Sequence, residues 1–364
     1  MQGEMRRRRV ALHVVIAATL FVKFTGSVYA QSNVTLYGIL DNSVSYVNRT
    51  LNSLTNQGSG RQIAMVDGQI LGSRFGMTGT EDLGGGVNVS FKLESGISLA
   101  DGGLGNSNGN LFGREAWLRL ASNLGTITAG VQLSPFILAL IQSDPRYASN
   151  FGSIAPIDVG AVLATSLFNS NAITYTSPTF AGLQGSVLIA LGGESGKFQA
   201  ARQYSGSLTY ERNGVFANAA FYSGSAGDAI TSAPASSTVA FAGRTIAAGY
   251  AFGNLRFRGV FAEFKVAGSF DSHVYGGGVS YLATPGLSID SGVWFTRDAN
   301  DSNNHSIMVA SGVRYSLMIR TSIYAQIGFV NNSGRMNTGL SNDGPLYGPP
   351  GRTIGGNIGI THSF

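Results

Sequence analysis

Residues 353–364, the last twelve of the chain, alternate between apolar and small polar side chains. Successive side chains of an extended strand point to opposite faces, so this alternation predicts a strand with two unlike faces. One face carries the apolar residues Ile354, Ile358, Ile360 and Phe364. The other carries the polar residues Thr353, Asn357, Thr361 and Ser363. Such a strand separates two solvents. Its aromatic end suits a strand that closes a barrel in lipid, with the ring at headgroup level.

Charged residues make up only 12% of the chain, against about a quarter in ordinary soluble domains. Beyond residue 30, no apolar stretch approaches the roughly 18–20 residues that a membrane-spanning helix needs. The apolar residues therefore alternate with polar ones and do not form long continuous stretches, a pattern that favours β-strands. It has no Cys, which excludes a disulfide scaffold and a thiolate metal site.

Residues 1–30 have the layout of a secretory signal peptide, with four arginines at positions 6–9, an apolar stretch over residues 10–22 and a small residue at Ala30. We predict cleavage after Ala30, which leaves residues 31–364 as one domain. The segment carries five of the 24 basic and one of the 19 acidic residues, so the net charge falls from +5 to +1. The basic balance belongs to the export signal and predicts no nucleic-acid partner.

Seven short turn signatures divide the remaining sequence, and alternating segments flank each of them. They are residues 81–86, 122–125, 177–182, 212–214, 252–254, 284–286 and 317–320. Seven hairpins, an opening strand at residues 34–40 and the closing strand give sixteen strands. An even number of strands, with short turns at one end and long loops at the other, predicts an all-β fold: a 16-stranded antiparallel transmembrane β-barrel.

The barrel interior is predicted to be polar. Arg256, Arg258 and Arg314 alternate with large apolar neighbours, and a charge on the lipid face near the midplane costs about 2–4 kcal/mol. These arginines should therefore face the lumen, and Asp41 is a further candidate for the lumen. A barrel of sixteen strands leaves an aqueous channel at its centre.

Several segments resemble the general diffusion porins of beta-proteobacteria. The resemblance is carried by residues 32–38, 72–86, 112–120 and 175–182 and by the terminal Phe364, and it covers essentially the whole mature chain. It implies a homotrimer in the outer membrane, with water-filled pores for ions and small hydrophilic solutes and with outer-membrane lipid and lipopolysaccharide as neighbours. It also implies that Phe364 is the signal read by the barrel-assembly machinery, and that a third loop, at residues 134–169 here, folds into the barrel.

The resemblance further implies a constriction with a basic wall and an acidic loop. Arg74 and Arg114 match the basic wall, and Asp144 and Asp158 are the only carboxylates in the loop. Alternation places Trp117 out of phase with Arg114. Other readings stay open: the arginines could lie elsewhere in the lumen, and Asp144 could cap a turn before Pro145 or pair with Arg146.

One position departs from the family pattern. Related chains often read Gly-Arg-Gln before the third loop, whereas this one reads Gly130-Val131-Gln132. One arginine of the basic wall is therefore missing, and the sequence leaves the sign of the ion preference open.

The porin resemblance has alternatives in other functional classes. A substrate-specific outer-membrane channel is the main alternative, but it needs a run of lumen aromatics or a basic ladder, and the Tyr and Phe residues are spread over many segments. Beyond residue 30 the only histidines are His273, His305 and His362, and none lies in a nucleophile motif. We therefore expect no enzymatic activity, no cofactor and no metal. A surface adhesin or soluble lectin is a further alternative.

Overall fold

Nineteen β-strands and two α-helices are present in the computed structural model, which describes residues 33–51, 58–162, 166–193, 195–225 and 240–364. The predicted signal peptide, residues 1–30, lies outside the described residues. The helices are α1 (Pro135–Ser143) and α2 (Ile154–Val162). The strands are β1 (Asn33–Val47), β2 (Thr50–Leu51), β3 (Gly58–Ser59), β4 (Gln62–Asp67), β5 (Arg74–Gly84), β6 (Val87–Gly96), β7 (Glu115–Ser122), β8 (Gly125–Leu133), β9 (Phe168–Thr176), β10 (Leu183–Ala190), β11 (Gln203–Arg212), β12 (Val215–Gly224), β13 (Phe241–Phe252), β14 (Leu255–Val266), β15 (Asp271–Thr284), β16 (Leu287–Asp298), β17 (His305–Met318), β18 (Thr321–Ser333) and β19 (Gly351–Ser363).

The strands close into a barrel with sixteen strand positions. Strands β4 and β5 both pair with β1 and together occupy one position, while β2 and β3 pair only with each other. On its other side β1 pairs with β19, and all neighbours are antiparallel. The backbone N–H groups of Gly38 and Phe364 each donate to the other residue's carbonyl, at 3.2 and 3.1 Å. The predicted 16-stranded antiparallel barrel is confirmed.

All seven predicted short turns connect consecutive strands at one end of the barrel. The turn between β11 and β12 shows why its residues are needed: Asn213 and Gly214 have φ values of 52° and 80°. A two-residue hairpin whose twist matches its strands requires positive φ at both central positions, and Asn-Gly tolerates this best. The longer connections lie at the opposite end, which is the extracellular end in outer-membrane barrels.

The two predicted faces of the closing strand are confirmed. Ile358 is 71% exposed on the outer surface, whereas Asn357 is 4% exposed and faces inward. On β18 the same contrast holds between Ile327, 63% exposed, and Gln326, 7% exposed. The exposed apolar side chains form the surface that a bilayer covers, so alternation along the strands positions the barrel in the membrane.

The main buried apolar cluster lies inside the barrel, where the third loop packs against the wall. Helix α1 contacts β11, β12 and β13, and the Ser134 side chain caps it by accepting from the Ile137 N–H at 3.2 Å. Phe136 is fully buried, with its ring centroid 6.3 Å from those of Tyr222 and Phe264. The expected infolded third loop is therefore present. Within the described ranges, neither helix has the length and apolarity to cross a bilayer.

Candidate functional site

A cavity of about 790 Å³ separates the third loop from the inner wall formed by β1 and β5–β7. It brings together three of the four residues predicted for the constriction: Arg74, Arg114 and Asp158 line it. Arg74 opens β5, and Arg114 lies in the bend immediately before β7. Asp158 comes from the opposite side, on α2. The cavity is therefore bounded by wall arginines on one side and by the third loop on the other.

Glu94 links the basic groups of the wall. Its Oε1 lies 2.8 Å from Arg114 Nε, and its Oε2 lies 3.2 Å from Lys92 Nζ. The Tyr37 hydroxyl also donates to Oε2, at 2.8 Å. Because Glu94 is 3% exposed, these contacts hold the Arg114 and Lys92 side chains in fixed positions at the cavity edge.

Glu115 provides the second carboxylate of the wall. Its Oε1 lies 2.6 Å from Lys92 Nζ, and its Oε2 accepts a hydrogen bond from Trp117 Nε1 at 2.7 Å. The Arg119 guanidinium lies 4.1 Å from the centre of the Trp117 ring. Carboxylates and cations therefore alternate along this face of β6 and β7, and the contacts between neighbouring side chains hold each of them in position.

The inward position of Trp117 contradicts the phase assigned from the sequence. Trp117 is 8% exposed and lies on the same face as Glu115 and Arg119. Strand β7 begins at Glu115, so Arg114 belongs to the preceding bend and not to the alternation. Two-residue periodicity cannot be extended across a strand end.

Sequence reasoning did not single out the carboxylates of Glu94 and Glu115. A signal for Glu94 was present, because Lys92 and Glu94 share one parity while Phe91 and Leu93 take the other. The cost of a charge in lipid would have placed both Lys92 and Glu94 inside the barrel.

Asp144 does not line the cavity, contrary to the expectation that it faces the constriction. It is 1% exposed, and its Oδ1 accepts from the backbone N–H groups of Arg146 and Ala148 at 2.7 and 3.2 Å. Its Oδ2 accepts from the Ile154 N–H at 2.9 Å and from Trp294 Nε1 at 3.1 Å. The turn-capping alternative therefore describes Asp144: it holds the loop together and ties it to β16.

Asp158 faces the cavity but is held in an apolar setting. It is 5% exposed, and its Oδ1 has no hydrogen-bond partner among the described residues. Burial raises the pKa of this carboxyl to about 8, because an ionised carboxylate without partners is unfavourable away from water. Asp158 is therefore mainly protonated and uncharged at neutral pH.

Asp41, which the sequence assigns to the lumen, is covered by a segment that leaves the wall. Its Oδ2 accepts from the backbone N–H groups of Ile70 and Leu71, each at 2.9 Å, and its Oδ1 accepts from the Tyr324 hydroxyl. Residues 68–73 separate β4 from β5 and fold inward, so Asp41 is fully buried. It anchors this segment and is not in contact with the water of the lumen.

The three arginines assigned to the lumen have the predicted parity. Arg258 is 8% exposed, and its guanidinium lies 3.5 Å from the centre of the inward-facing Phe216 ring. Arg256 donates to the Tyr147 hydroxyl on the third loop. Arg314 lies between Val313 and Tyr315, which are 39% and 50% exposed on the outer surface. None of the three lines the cavity described above.

The position of the missing arginine coincides with a bulge. The pairing of β8 with β9 shifts between Gly130 and Gln132, and Gly130 has a φ of 129°. A bulge bends a strand and redirects its side chains, and glycine adopts this backbone without strain. Val131 pairs with Ala116, which has the outward parity of Leu118 on β7, so the residue at this position does not line the cavity.

Comparisons with known proteins agree with the barrel. A family model described as Gram-negative porin matches residues 14–335. Outer membrane porin protein 32 of Delftia acidovorans is 28% identical over 375 residues, which cover 99% of this chain and 100% of that protein. Among solved structures, an anion-selective porin from Comamonas acidovorans has a TM-score of 0.77 at 23% identity, covering 92% of this chain and all of that one. OmpT of Vibrio cholerae in a trimer form has a TM-score of 0.65 at 14% identity, covering 92% of this chain and 99% of that one.

Proposed function

The chain belongs to the Gram-negative porin family, and from that premise we propose that its cavity is the narrow section of a pore that favours anions. Members of this family are channels of the outer membrane, and this chain forms a water-filled barrel there for passive diffusion of ions and small hydrophilic solutes. Which residues line the narrow section, and which sign of charge passes more readily, are the proposed parts. Arg74 and Arg114 are assigned to the basic wall, facing Asp158 on the loop.

The charges around the cavity support the proposed preference. Arg74, Arg114 and Lys92 contribute three positive charges, and Glu94 and Glu115 contribute two negative ones. The protonated Asp158 adds none at neutral pH. A ring of net positive charge at a narrow point favours anions and repels cations. A relative of known structure is described as anion-selective, which agrees with this sign.

Planar-bilayer recordings in a potassium chloride gradient test the proposal. We expect stepwise conductance increments and a reversal potential that corresponds to a chloride permeability above that of potassium. Because exposed charges are screened over about 8 Å at 0.15 M salt and about 3 Å at 1 M, the preference should weaken as salt increases. A reversal potential that favours potassium at low salt would contradict the proposed sign, whereas an absence of conductance would contradict the channel itself.

The ion preference should also depend on pH through Asp158. A carboxyl is uncharged below its pKa and negative above it, so raising the pH from 7 to 9 adds a negative charge to the cavity. One unit charge at 4 Å in water is worth about 1 kcal/mol, so the anion-to-cation permeability ratio should fall about fivefold. Asp158→Asn should abolish this change while keeping the ratio seen at pH 7.

A second acid with a raised pKa does not interfere with this test. Burial raises the pKa of Asp343 to about 6, so most of its ionisation is complete before pH 7. An equal change of the permeability ratio in wild type and Asp158→Asn would place the titrating group elsewhere.

The same family membership supports a homotrimer, which is the state described for OmpT of Vibrio cholerae. We further propose outer-membrane lipid and lipopolysaccharide as neighbours of the outer surface, and the barrel-assembly machinery as the reader of Phe364. The aromatic side chain of Phe364 is 40% exposed, and its backbone closes the barrel, so the ring is accessible at the final seam. Cleavage of the signal peptide after Ala30 stays a prediction.

A further inference from the structure

Two rows of side chains cross the outer surface of β13–β17 near the extracellular end. The strand register aligns Ile246, Phe261, Tyr275, Phe295 and Ile307 in one row. Two residues closer to the extracellular end, it aligns Arg244, Glu263, His273, Arg297 and His305. A change from apolar and aromatic groups to charged groups within one step of the pleat, about 7 Å, is typical of the boundary between hydrocarbon and headgroups.

An apolar groove lies in this surface and extends up to the first row. It has a volume of about 670 Å³ and includes Ile246, Phe261 and Tyr275 in its lining. Its lining also includes the small residues Ala219 and Ala248, whose outward parity leaves little side-chain volume there. A groove of this composition on a lipid-facing wall is suited to an acyl chain.

The charged row, together with the pair Lys265 and Asp271 one pleat step closer to the extracellular end, has an excess of cations. Arg244 Nη1 lies 2.8 Å from Glu263 Oε2, and Lys265 Nζ lies 2.6 Å from Asp271 Oδ2. Arg297 is aligned between His273 and His305, so among the described residues the register places no acid directly opposite it. The Arg244 and Lys265 side chains are 65% and 53% exposed, and exposed ion pairs contribute at most about 1 kcal/mol. Both cations can therefore turn towards an anionic group on a ligand at little cost.

The two carboxylates have a different part in the cluster. Glu263 and Asp271 lie close to His273: one carboxylate oxygen of each acid and a ring nitrogen of the histidine lie within 4.8 Å of one another. One oxygen of each carboxylate already contacts a cation, so we regard them as the groups that hold Arg244 and Lys265 above the groove.

We propose that this face binds one phosphorylated lipid of the outer leaflet, with an acyl chain in the groove and a phosphate at Arg244, Lys265 and Arg297. The assignment rests on the outer-membrane location and gives a site to the lipid neighbour proposed above. Guanidinium and ammonium groups are the usual partners of phosphate. The continuity of groove and cations selects an amphiphile, because a free phosphate would leave the groove empty and a neutral lipid would leave the cations unused.

Native mass spectrometry of the purified, folded protein with added diphosphorylated lipid A tests the assignment. We expect one retained lipid per protomer in wild type and a loss of at least tenfold in apparent affinity in the triple variant Arg244→Gln, Lys265→Gln, Arg297→Gln. Dephosphorylated lipid A should bind wild type as weakly as the phosphorylated lipid binds the triple variant. Arg352→Gln is the matched control, since Arg352 is exposed on β19 outside both rows, and it should bind like wild type.

A groove variant separates the lipid from other occupants. Ala248→Phe fills the floor without changing charge and should also weaken binding at least tenfold. If the triple variant binds lipid like wild type, the assignment is wrong. If Ala248→Phe instead breaks the trimer, the face is an interface between copies of this chain and the assignment is equally wrong. Bilayer conductance of the same samples is read separately, so failure of lipid binding and failure of the proposed pore are distinguishable.

Discussion

Replacing Arg114 by glutamate is expected to shift the reversal potential in a salt gradient towards cations. The change converts one positive charge at the cavity edge into a negative one. At 4 Å in water, this reversal of two charge units is worth about 2 kcal/mol, and each 1.4 kcal/mol is about tenfold in an equilibrium. The anion-to-cation permeability ratio should therefore fall by at least roughly tenfold at low salt.

Two further variants separate charge from shape in this experiment. Arg114→Gln removes the charge and keeps a polar side chain, so its ratio should fall between wild type and Arg114→Glu. Arg314→Glu makes the same charge change on β17, outside the cavity, and should have a much smaller effect. Glu94 keeps its contacts with Lys92 and Tyr37 in the Arg114 variants, so the wall should stay folded. An unchanged reversal potential in Arg114→Glu would place Arg114 away from the narrowest point.

Replacing Arg146 by methionine is expected to detach the third loop from the far wall. The Arg146 side chain is 1% exposed and pairs with Asp290 on β16. Its Nη1 donates to the carbonyls of Phe151 and Gly152 at 2.8 and 2.6 Å, and its Nη2 donates to Gln326 Oε1 at 2.5 Å. Removing one partner of a fully buried ion pair costs about 3–5 kcal/mol, and because Asp290 is 29% exposed we expect a loss towards the lower end of this range.

The loss should be visible both in stability and in the channel. We expect Arg146→Met to unfold at a lower temperature in heat-modifiability gels, and to show larger, noisier conductance because the loop no longer narrows the pore. Arg256→Met is the control for stability, because Arg256 touches the same loop only through the exposed Tyr147, a contact worth about 1 kcal/mol or less. Equal unfolding temperatures for the two variants would show that the Arg146 contacts do not hold the loop.

The barrel itself could be predicted from local pattern, because the bilayer imposes a strict rule on every strand. The alternation of Ile358 with Asn357, and of Ile327 with Gln326, follows directly from having lipid on one side and water on the other. Turn residues such as Asn213 and Gly214 favour the positive φ values of tight turns, so the sequence also predicts where the hairpins turn. The strand count then followed from the turns.

The interior could be predicted less well, because the alternation rule ends where the chain leaves the wall. The loop position of Asp144 predicts a pore carboxylate, but one of its four hydrogen bonds comes from Trp294, which is distant in sequence, and the other three come from backbone N–H groups of its own loop. Alternation counted from Arg114 predicts the wrong face for Trp117, because β7 starts at Glu115 and Arg114 lies in the bend before it. The segment at residues 68–73, which covers Asp41, has no periodic signal, and its inward fold depends on contacts with other parts of the barrel.

The backbone pairing of Gly38 with Phe364 has a consequence for how the molecule is made. Strand β1 cannot complete its hydrogen bonds until β19 is in place, so an unclosed molecule has two open strand edges. Pairing between distant segments is slow, and exposed strand edges associate with other chains. A factor that shields both edges is therefore needed until β19 pairs with β1.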